Sequence, residues 1–538
     1  MRNPSSLTGA NRRTVLTGGA AVGLSGPAWA AQQAGDAALR QGPVVETANG
    51  KVRGYVAGGV HTFRGLRYAA STAGANRFKP PVAPEPWTGV MEGYVAGGGP
   101  TAPQPDPVPG PPLTRAWVAE PAMSEDCLNL NLFTPGVDGA KRPVMVWLHG
   151  GQWMRGAGSE PISDGTRLAG RNDVVVVTVN HRLNLFGYMY LTEALGPDYA
   201  DSSNLGVLDC IAALRWVRDN IARFGGDPGN VTLFGWSSGG SEICQIAAMP
   251  SAEGLFHKII VQSGAQLKLR TPDAAAAATD RVLTRLGLNR ATAAKLLTLP
   301  MTEIIKVANT GGAPTMDGRS TPRHPWSPDA PPAMKRIPMI TGGTDSELAY
   351  GADDAQFNLD REGLRRRVAN LGEHGDEVLA AYSEGRPNAT PAELGFYLST
   401  GLWTTKRVIQ QAERTVQLGG APTWLYRWQW RLPSRYLSAH GTDLAFVWDN
   451  VGLAPEMIGT GPAVQRLADR MSRRWAAFAR TGDPNIAGQP HWPAYDLSRR
   501  ATLVIDREDH VIDDPRKAER LALMRLPDAL SENVRILR

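Results

Sequence analysis

The sequence predicts an α/β fold built on one main, mostly parallel sheet that is flanked by helices. Short, nearly continuous apolar runs recur along the chain, as in strands that are covered on both faces. Amphipathic helical patterns lie between these runs, and strands that alternate with helices form parallel sheets. The predicted strands are Val144–Leu148, Val174–Val179, Val231–Trp236, Ile259–Val261, Ile337–Ile340, Trp424–Trp430 and Ala501–Ile505, and the predicted helices are Val207–Phe224, Ser238–Ala248, Asp273–Leu286 and Gly461–Thr481.

A small antiparallel hairpin is expected at the N-terminal edge of the sheet. The stretch Val44–Val56 has Asn49-Gly50 at its centre, and this dipeptide favours hairpin turns. Residues 97–112 are rich in Pro and Gly and read as a loop rather than as a boundary between domains. Because no internal repeat is present, one domain over residues 31–538 with large insertions fits better than several domains.

Residues 1–30 have the three parts of an export signal. They contain Arg2, Arg12 and Arg13 and no acidic residue, followed by a short apolar, Gly-rich stretch and the small residues of Ala28-Trp29-Ala30. The paired arginines are similar to a twin-arginine signal. An ordinary secretion signal, or an N-terminus that stays attached, would also fit. We expect residues 1–30 to be a signal peptide and the protein to be periplasmic or secreted.

Half of the net positive charge of the chain comes from this segment. The whole sequence has 57 Lys and Arg against 51 Asp and Glu, a net charge of +6, and without residues 1–30 the numbers are 54 against 51, or +3. The densest basic cluster, Arg365-Arg366-Arg367, has no interleaved aromatic residues and is expected on a solvated helix face. We therefore expect no nucleic-acid partner. No run reaches 18 apolar residues, so no membrane span is expected, and three cysteines are too few for a disulfide scaffold.

The pentapeptide Gly235-Trp236-Ser237-Ser238-Gly239 predicts a nucleophile. It has the G-x-S-x-G form, it follows an apolar strand, and it begins an apolar helix. In this context a sharp turn from strand to helix lifts the Ser237 hydroxyl above the sheet. The helix N-terminus also stabilises negative charge that develops above it. The motif alone is common by chance, so the strand before it and the helix after it make Ser237 the candidate.

The loop His149-Gly150-Gly151-Gln152 predicts an oxyanion hole. It follows the strand Val144–Leu148. The backbone N–H groups of Gly151 and Gln152, together with that of Ser238, can bind the negatively charged oxygen of a tetrahedral intermediate. A plain glycine turn or a phosphate-binding loop would have a similar sequence, but the second lacks the Lys-Ser/Thr that its chemistry needs.

These motifs together resemble the type B carboxylesterases (the carboxylesterase/lipase family), which have the α/β-hydrolase fold. Phe224–Gly239 matches the family's serine signature throughout, and Ser124–Asn131 is similar to its second signature. The resemblance extends from about Val44 to about Asp514 and favours the bacterial branch that is para-nitrobenzyl-esterase-like. It implies a serine hydrolase that cleaves neutral carboxylic esters through an acyl-enzyme, with no metal and no cofactor.

The resemblance also implies the acid and the base of a catalytic triad, in the chain order Ser, Asp/Glu, His. Glu347 aligns with the family's catalytic Glu after the strand Ile337–Ile340, although Asp345, two residues earlier, remains a rival. His440 begins a segment that is similar to the family's catalytic His box. In this mechanism His440 accepts the proton of Ser237, and the acid orients the imidazole.

Trp153 and Trp236 are expected to line an apolar pocket for uncharged ester substrates. Trp236 stands where many relatives have a Glu, which argues against a choline ester. Trp117 lies ten residues before Cys127, where cholinesterases place the tryptophan that stacks on choline, so the sequence leaves cation binding open. A lipase or a specialised hydrolase of aromatic, xenobiotic or polyester esters would have the same triad. The candidate from another class is a catalytically silent adhesion protein.

The resemblance further implies two structural ion pairs, Arg182 with Asp209 and Arg77 with Glu125. Breaking a buried pair of this kind is expected to cost about 3–5 kcal/mol. Cys210 and Cys244 either form a disulfide or remain two buried thiols.

Overall fold

Thirteen strands form one mixed sheet in the computed structural model, which describes residues 40–93, 98–106 and 122–532. The strands are β1 (Arg40–Glu46), β2 (Lys51–Ala57), β3 (Val60–Arg67), β4 (Val90–Glu92), β5 (Asn129–Thr134), β6 (Arg142–Leu148), β7 (Val175–Val179), β8 (Gly226–Trp236), β9 (Lys258–Gln262), β10 (Met339–Thr344), β11 (Thr423–Trp428), β12 (Ala501–Ile505) and β13 (His510–Asp513).

The strand order is β1-β2-β3-β5-β7-β6-β8-β9-β10-β11-β12-β13, and β4 pairs with β2. The seven strands from β7 to β12 in this order run parallel to one another. The strands from β1 to β7 pair antiparallel, and so do β12 and β13. This arrangement confirms the predicted sheet and its N-terminal hairpin. The hairpin turn is longer than a two-residue turn, because Glu46 pairs with Lys51.

The seven predicted strands are all present, whereas β3, β4, β5 and β13 were not predicted. β5 shows why a buried strand can be missed. All six of its residues are buried, but Asn129 and Asn131 interrupt its apolar pattern. The structure satisfies these amides internally, since Asn131 Nδ2 donates to Thr178 Oγ1 at 3.1 Å and to the Gly158 carbonyl at 3.2 Å. A buried strand can therefore carry polar residues when its neighbours supply their hydrogen bonds.

The four predicted helices are α4, α5, α6 and α15 of the structure, within one or two residues at most ends. Val207–Phe224 is the exception, because the α-helix ends at Asn220 and one 3₁₀ turn, Ile221–Phe224, follows it. The described α-helices are α1 (Thr166–Asn172), α2 (Asn184–Tyr188), α3 (Thr192–Leu195), α4 (Leu205–Asn220), α5 (Ser238–Ala247), α6 (Pro272–Arg285), α7 (Met301–Ile305), α8 (Asp354–Phe357), α9 (Arg361–Val368), α10 (Gly375–Gly385), α11 (Pro391–Thr400), α12 (Lys406–Leu418), α13 (Leu444–Val447), α14 (Pro455–Ile458), α15 (Pro462–Thr481), α16 (Lys517–Arg525) and α17 (Asp528–Glu532).

Hydrophobic cores lie on both faces of the sheet. Successive residues of β6 alternate between them: Val144 and Val146 belong to one cluster, and Met145 and Trp147 belong to the other. This alternation is the period of two of a β-strand. Each fully buried aliphatic side chain contributes about 1.5–3 kcal/mol. Because both faces are covered, the strands can be apolar along their whole length.

Buried ion pairs, not disulfides, connect the surrounding elements. Arg182 and Asp209 are 2.6 Å apart, and Arg77 contacts Glu125, so both predicted pairs form. Cys127, Cys210 and Cys244 are free, buried thiols, which decides against a Cys210–Cys244 disulfide. Within the described ranges, no helix is long and apolar enough to cross a membrane. The described residues belong to one compact unit, Leu39–Arg538.

Candidate active site

Ser237 lies at a strained turn between β8 and α5. Its backbone has φ 55° and ψ −124°, a conformation that non-glycine residues rarely adopt. The Ser237 N–H donates to the Gln262 carbonyl at 2.9 Å, and its carbonyl accepts from the Ser241 N–H at 3.0 Å. These hydrogen bonds hold the strained turn in place. Such strain is typical of functional sites whose surroundings impose one backbone conformation.

The glycines of the motif are needed because the backbone is crowded here. A Cβ on Gly239 would lie 2.1 Å from the Leu148 carbonyl oxygen, closer than any stable contact. A Cβ on Gly150 would lie 2.4 Å from the Trp236 ring and 3.1 Å from Ser237 Cβ. The two distances from Gly150 show that the loop after β6 lies directly against the turn that carries Ser237.

The loop after β6 is itself in an unusual conformation. Gly151, Gln152 and Trp153 all have positive φ angles, of 119°, 60° and 58°. The Met154 N–H donates to the Gly151 carbonyl at 3.0 Å, and the Trp153 carbonyl accepts from the Asn184 N–H at 2.6 Å. Three successive residues in the left-handed region turn this loop sharply. Two of them are not glycine, and strain of this kind is maintained only where the surrounding contacts impose it.

Glu347 and His440 form a buried hydrogen-bonded pair. His440 Nδ1 contacts Glu347 Oε2, and the other carboxylate oxygen accepts from the Thr344 N–H at 2.9 Å. The His440 N–H also donates to the Glu347 carbonyl at 3.2 Å. Glu347 is fully buried and lies three residues after the end of β10. With its proton on Nδ1, the imidazole has Nε2 free to accept a proton.

Asp345, the rival acid, points to a different group. Its carboxylate lies 2.7 Å from Arg427 and 3.4 Å from Arg386. Burial alone would raise the pKa of Asp345, but the two guanidinium groups outweigh this effect, and the pKa is lowered. Asp345 is therefore an ionised partner of arginines, whereas Glu347 is the carboxylate that contacts His440.

Two tryptophans surround the His440 ring. The Trp236 ring centroid lies 4.6 Å from that of His440, and the Trp403 centroid lies 5.1 Å away in an edge-on arrangement. Sequence reasoning identified Trp236 and missed Trp403. Trp403 belongs to a π-helical segment, Gly401–Thr405, between α11 and α12, and such segments are frequent at functional sites. No local pattern relates it to His440, so only the fold reveals the contact.

Asp443, three residues after His440, belongs to a polar network below the site. Its Oδ2 accepts from Gln262 Nε2 at 3.0 Å and from the Tyr426 hydroxyl at 3.1 Å. Burial raises the pKa of Asp443 to about 6. Gln262 Oε1 in turn accepts from Trp475 Nε1 at 3.2 Å. The network ties the histidine loop to β9 and β11.

The fold thus brings the predicted loop Gly150–Gln152 to Ser237, and Glu347 to His440. The Trp236 ring lies beside both groups, because it contacts the His440 ring and faces Gly150 of the loop. Trp153 is half-buried and packs against the core cluster that contains Leu148, and Gln152 is exposed. Trp117 lies outside the described residues.

The sequence model described as the Carboxylesterase family matches residues 41–524, which is most of the chain. The chain belongs to the carboxylesterase family. Like other members it is a carboxylic-ester hydrolase of the α/β-hydrolase fold, and ester hydrolysis through a serine triad and an acyl-enzyme is general to the family.

Individual carboxylesterases align over nearly their whole length. The para-nitrobenzyl esterase of Bacillus subtilis (strain 168) is 34% identical over 497 residues, which cover 89% of this chain and 98% of that protein. The crystal structure of a Geobacillus stearothermophilus carboxylesterase superposes with a TM-score of 0.79 at 36% identity, covering 89% of this chain and 99% of that one. An esterase from Clostridium hathewayi, described as able to hydrolyse aliphatic aromatic polyesters, gives 0.78 at 31% identity and covers 91% and 100%.

Proposed function

We propose that Ser237, His440 and Glu347 are the catalytic triad of this carboxylesterase. The observation that carries the proposal is the buried Glu347–His440 pair together with the strained Ser237 turn. We also assign the oxyanion hole to the backbone N–H groups of Gly151, Gln152 and Ser238. In support of this, the glycine loop packs against Ser237, and Ser238 is the first residue of α5.

The reaction follows from the side-chain chemistry. His440 Nε2 takes the proton of the Ser237 hydroxyl as its oxygen attacks the ester carbonyl. The oxyanion is bound by N–H donors, each of which is typically worth about 3–4 kcal/mol in the transition state. His440 then protonates the leaving alcohol, and water releases the acid by the reverse route. Glu347 keeps the imidazole oriented and stabilises its charged form without taking the proton.

We infer that the substrates are uncharged carboxylic esters. Trp236 places an apolar ring beside His440. Many relatives have a Glu at this position, whose negative charge would attract cations. Trp403 contacts the same imidazole edge-on. Esters with an aromatic group suit such walls, since rings pack edge to face or offset. The Clostridium hathewayi relative makes an aromatic polyester a second substrate to test. Two assays distinguish a small ester from a polyester as the substrate. One measures hydrolysis of p-nitrophenyl butyrate, and the other measures release of soluble aromatic monomer from the polymer.

Removal of the nucleophile tests the triad. Ser237→Ala is expected to lose nearly all turnover of p-nitrophenyl butyrate and all labelling by a fluorophosphonate probe. Ser241→Ala is the matched control, because its hydroxyl is buried on the same helix and its backbone N–H still binds the Ser237 carbonyl. The control is expected to keep both activities within a few-fold. Full turnover or labelling of Ser237→Ala would refute the nucleophile assignment.

We further propose that the enzyme is exported with removal of residues 1–30, a segment that lies outside the described residues. The support is the Arg12-Arg13 pair, the apolar stretch and the small residues up to Ala30. Mass spectrometry of protein from the periplasm or the medium is expected to find a mature chain that begins after Ala30. Exported protein that still contains Arg12 and Arg13 would refute cleavage.

A further inference from the structure

Three buried side chains that take no part in the proposed reaction converge next to the oxyanion loop. His181 follows β7, Cys210 lies on α4, and Glu242 lies on α5. Their ligand atoms all lie within 4.8 Å of one another, and none of the three residues is more than 1% exposed. The His181 ring stacks on that of His149, with centroids 4.7 Å apart.

The hydrogen bonds around the cluster leave two atoms facing each other. His181 Nδ1 donates to the Arg182 carbonyl at 3.1 Å, so that Nε2 keeps its lone pair. The Tyr188 hydroxyl donates to Glu242 Oε1 at 2.6 Å and leaves Oε2 available. His181 Nε2 and Glu242 Oε2 are 3.4 Å apart, and within the described residues neither has a hydrogen-bond partner.

This pattern is that of metal ligands. A metal-bound histidine usually donates its other ring N–H to a carbonyl or carboxylate, and a bound carboxylate is held by a further hydrogen bond. Bonds of about 2.0–2.1 Å from zinc to nitrogen and oxygen in a tetrahedron separate the two ligand atoms by roughly 3.3–3.4 Å. The 3.4 Å between His181 Nε2 and Glu242 Oε2 fits this edge.

We propose that His181, Cys210 and Glu242 bind one zinc ion, with a small fourth ligand such as water. The Cys210 thiolate and the Glu242 carboxylate balance the two charges of the ion, and a thiolate together with an imidazole is typical of zinc sites. The site would join the end of β7, α4 and the helix that follows the nucleophile. Its role is structural, and no step of ester hydrolysis passes through it.

A metal-free cluster makes a contrasting prediction. Without a cation, His181 Nε2 and Glu242 Oε2 would be expected to share a proton in a direct hydrogen bond, and hydrogen bonds between nitrogen and oxygen are about 2.7–3.2 Å long. The observed separation of 3.4 Å, with no hydrogen bond between the two atoms, does not fit that arrangement.

Metal content tests the proposal independently of activity. Full-length protein produced in zinc-supplemented medium is expected to hold about one zinc per chain after dialysis, as measured by plasma mass spectrometry. Cys210→Ala is expected to lose this zinc. Cys244→Ala is the matched control, because Cys244 is a buried thiol of α5 outside the cluster, and it should retain the metal.

The wild type alone also decides the question if Cys210→Ala fails to fold. Wild-type protein unfolded in guanidine with a chelator is refolded with zinc, with cobalt or with magnesium. Zinc is expected to raise the Tm, and cobalt should give the visible and near-ultraviolet bands of a tetrahedral thiolate site. A wild type without stoichiometric zinc, whose Tm zinc does not change, would overturn the proposal. Zinc retained in folded Cys210→Ala would overturn it too.

Discussion

Replacing Glu347 by glutamine separates its role from that of Asp345. The Thr344 N–H donates to Glu347 Oε1, so a glutamine would place its carbonyl oxygen there to accept the same hydrogen bond. Its NH₂ group would then face His440 Nδ1, in place of the carboxylate oxygen. Because two donors cannot share a hydrogen bond, the imidazole has to carry its proton on Nε2. In that tautomer it cannot accept the proton of Ser237.

The expected loss is large. The wrong tautomer in a serine triad lowers kcat by about 10⁴-fold, which corresponds to about 5 kcal/mol of transition-state stabilisation. Asp345→Asn acts differently, because it leaves Arg386 and Arg427 without their shared carboxylate. It is expected to cost about 3–5 kcal/mol of stability while kcat of the folded protein stays within about tenfold of the wild type.

Two measurements on each variant are sufficient. The kcat for p-nitrophenyl butyrate is normalised to the folded fraction, and the free energy of unfolding is obtained from urea titration. Glu347→Gln is expected to lose activity and keep most of its stability, and Asp345→Asn the reverse. If Asp345→Asn loses activity by 10³-fold or more (about 4 kcal/mol) in the folded state while Glu347→Gln does not, the assignment of the acid is wrong.

Three further substitutions test the site and its support. Gly150→Ala places a methyl group 2.4 Å from the Trp236 ring and should lower kcat about 100-fold by displacing the oxyanion loop, as measured with p-nitrophenyl butyrate. Asp209→Asn leaves Arg182 buried without a counter-charge and should cost about 3–5 kcal/mol in urea unfolding. Asp443→Asn removes a buried carboxylate and should raise the free energy of unfolding at pH 7 by up to about 3 kcal/mol.

The pH dependence gives the sign of the third result. Because the pKa of Asp443 is raised to about 6 in the folded chain, the folded state binds a proton that the unfolded state has released between about pH 4 and 6. Its contribution to stability is therefore present at low pH and is lost as the pH rises through this window. In Asp443→Asn, the free energy of unfolding should not show this decrease between about pH 4 and 6. If the stability of Asp443→Asn depends on pH in the same way as that of the wild type, the prediction for Asp443 is wrong. A wild-type kcat for Gly150→Ala would contradict the prediction for Gly150, and wild-type stability of Asp209→Asn would contradict the prediction for Asp209.

Local features of the sequence were enough for the fold class and for half of the site. The seven apolar runs predict strands because a strand that is covered on both faces has to be apolar along its length. Ser237 and the loop Gly150–Gln152 could be recognised because each is a contiguous motif directly after such a strand. Strand β5 has no such apolar run, since its buried asparagines are stabilised by hydrogen bonds to other elements.

The tertiary structure decided the contacts between residues that are distant in the chain. Asp345 and Glu347 are two residues apart and chemically alike, and no local pattern says which one reaches His440. The turn after β10 directs Glu347 to the imidazole. Asp345 instead forms ion pairs with Arg427 of β11 and with Arg386 in the loop after α10. The contact of Trp403 with His440 likewise depends on how the segment between α11 and α12 packs. Periodicity is a property of neighbouring residues, whereas these contacts depend on how separate elements pack in space.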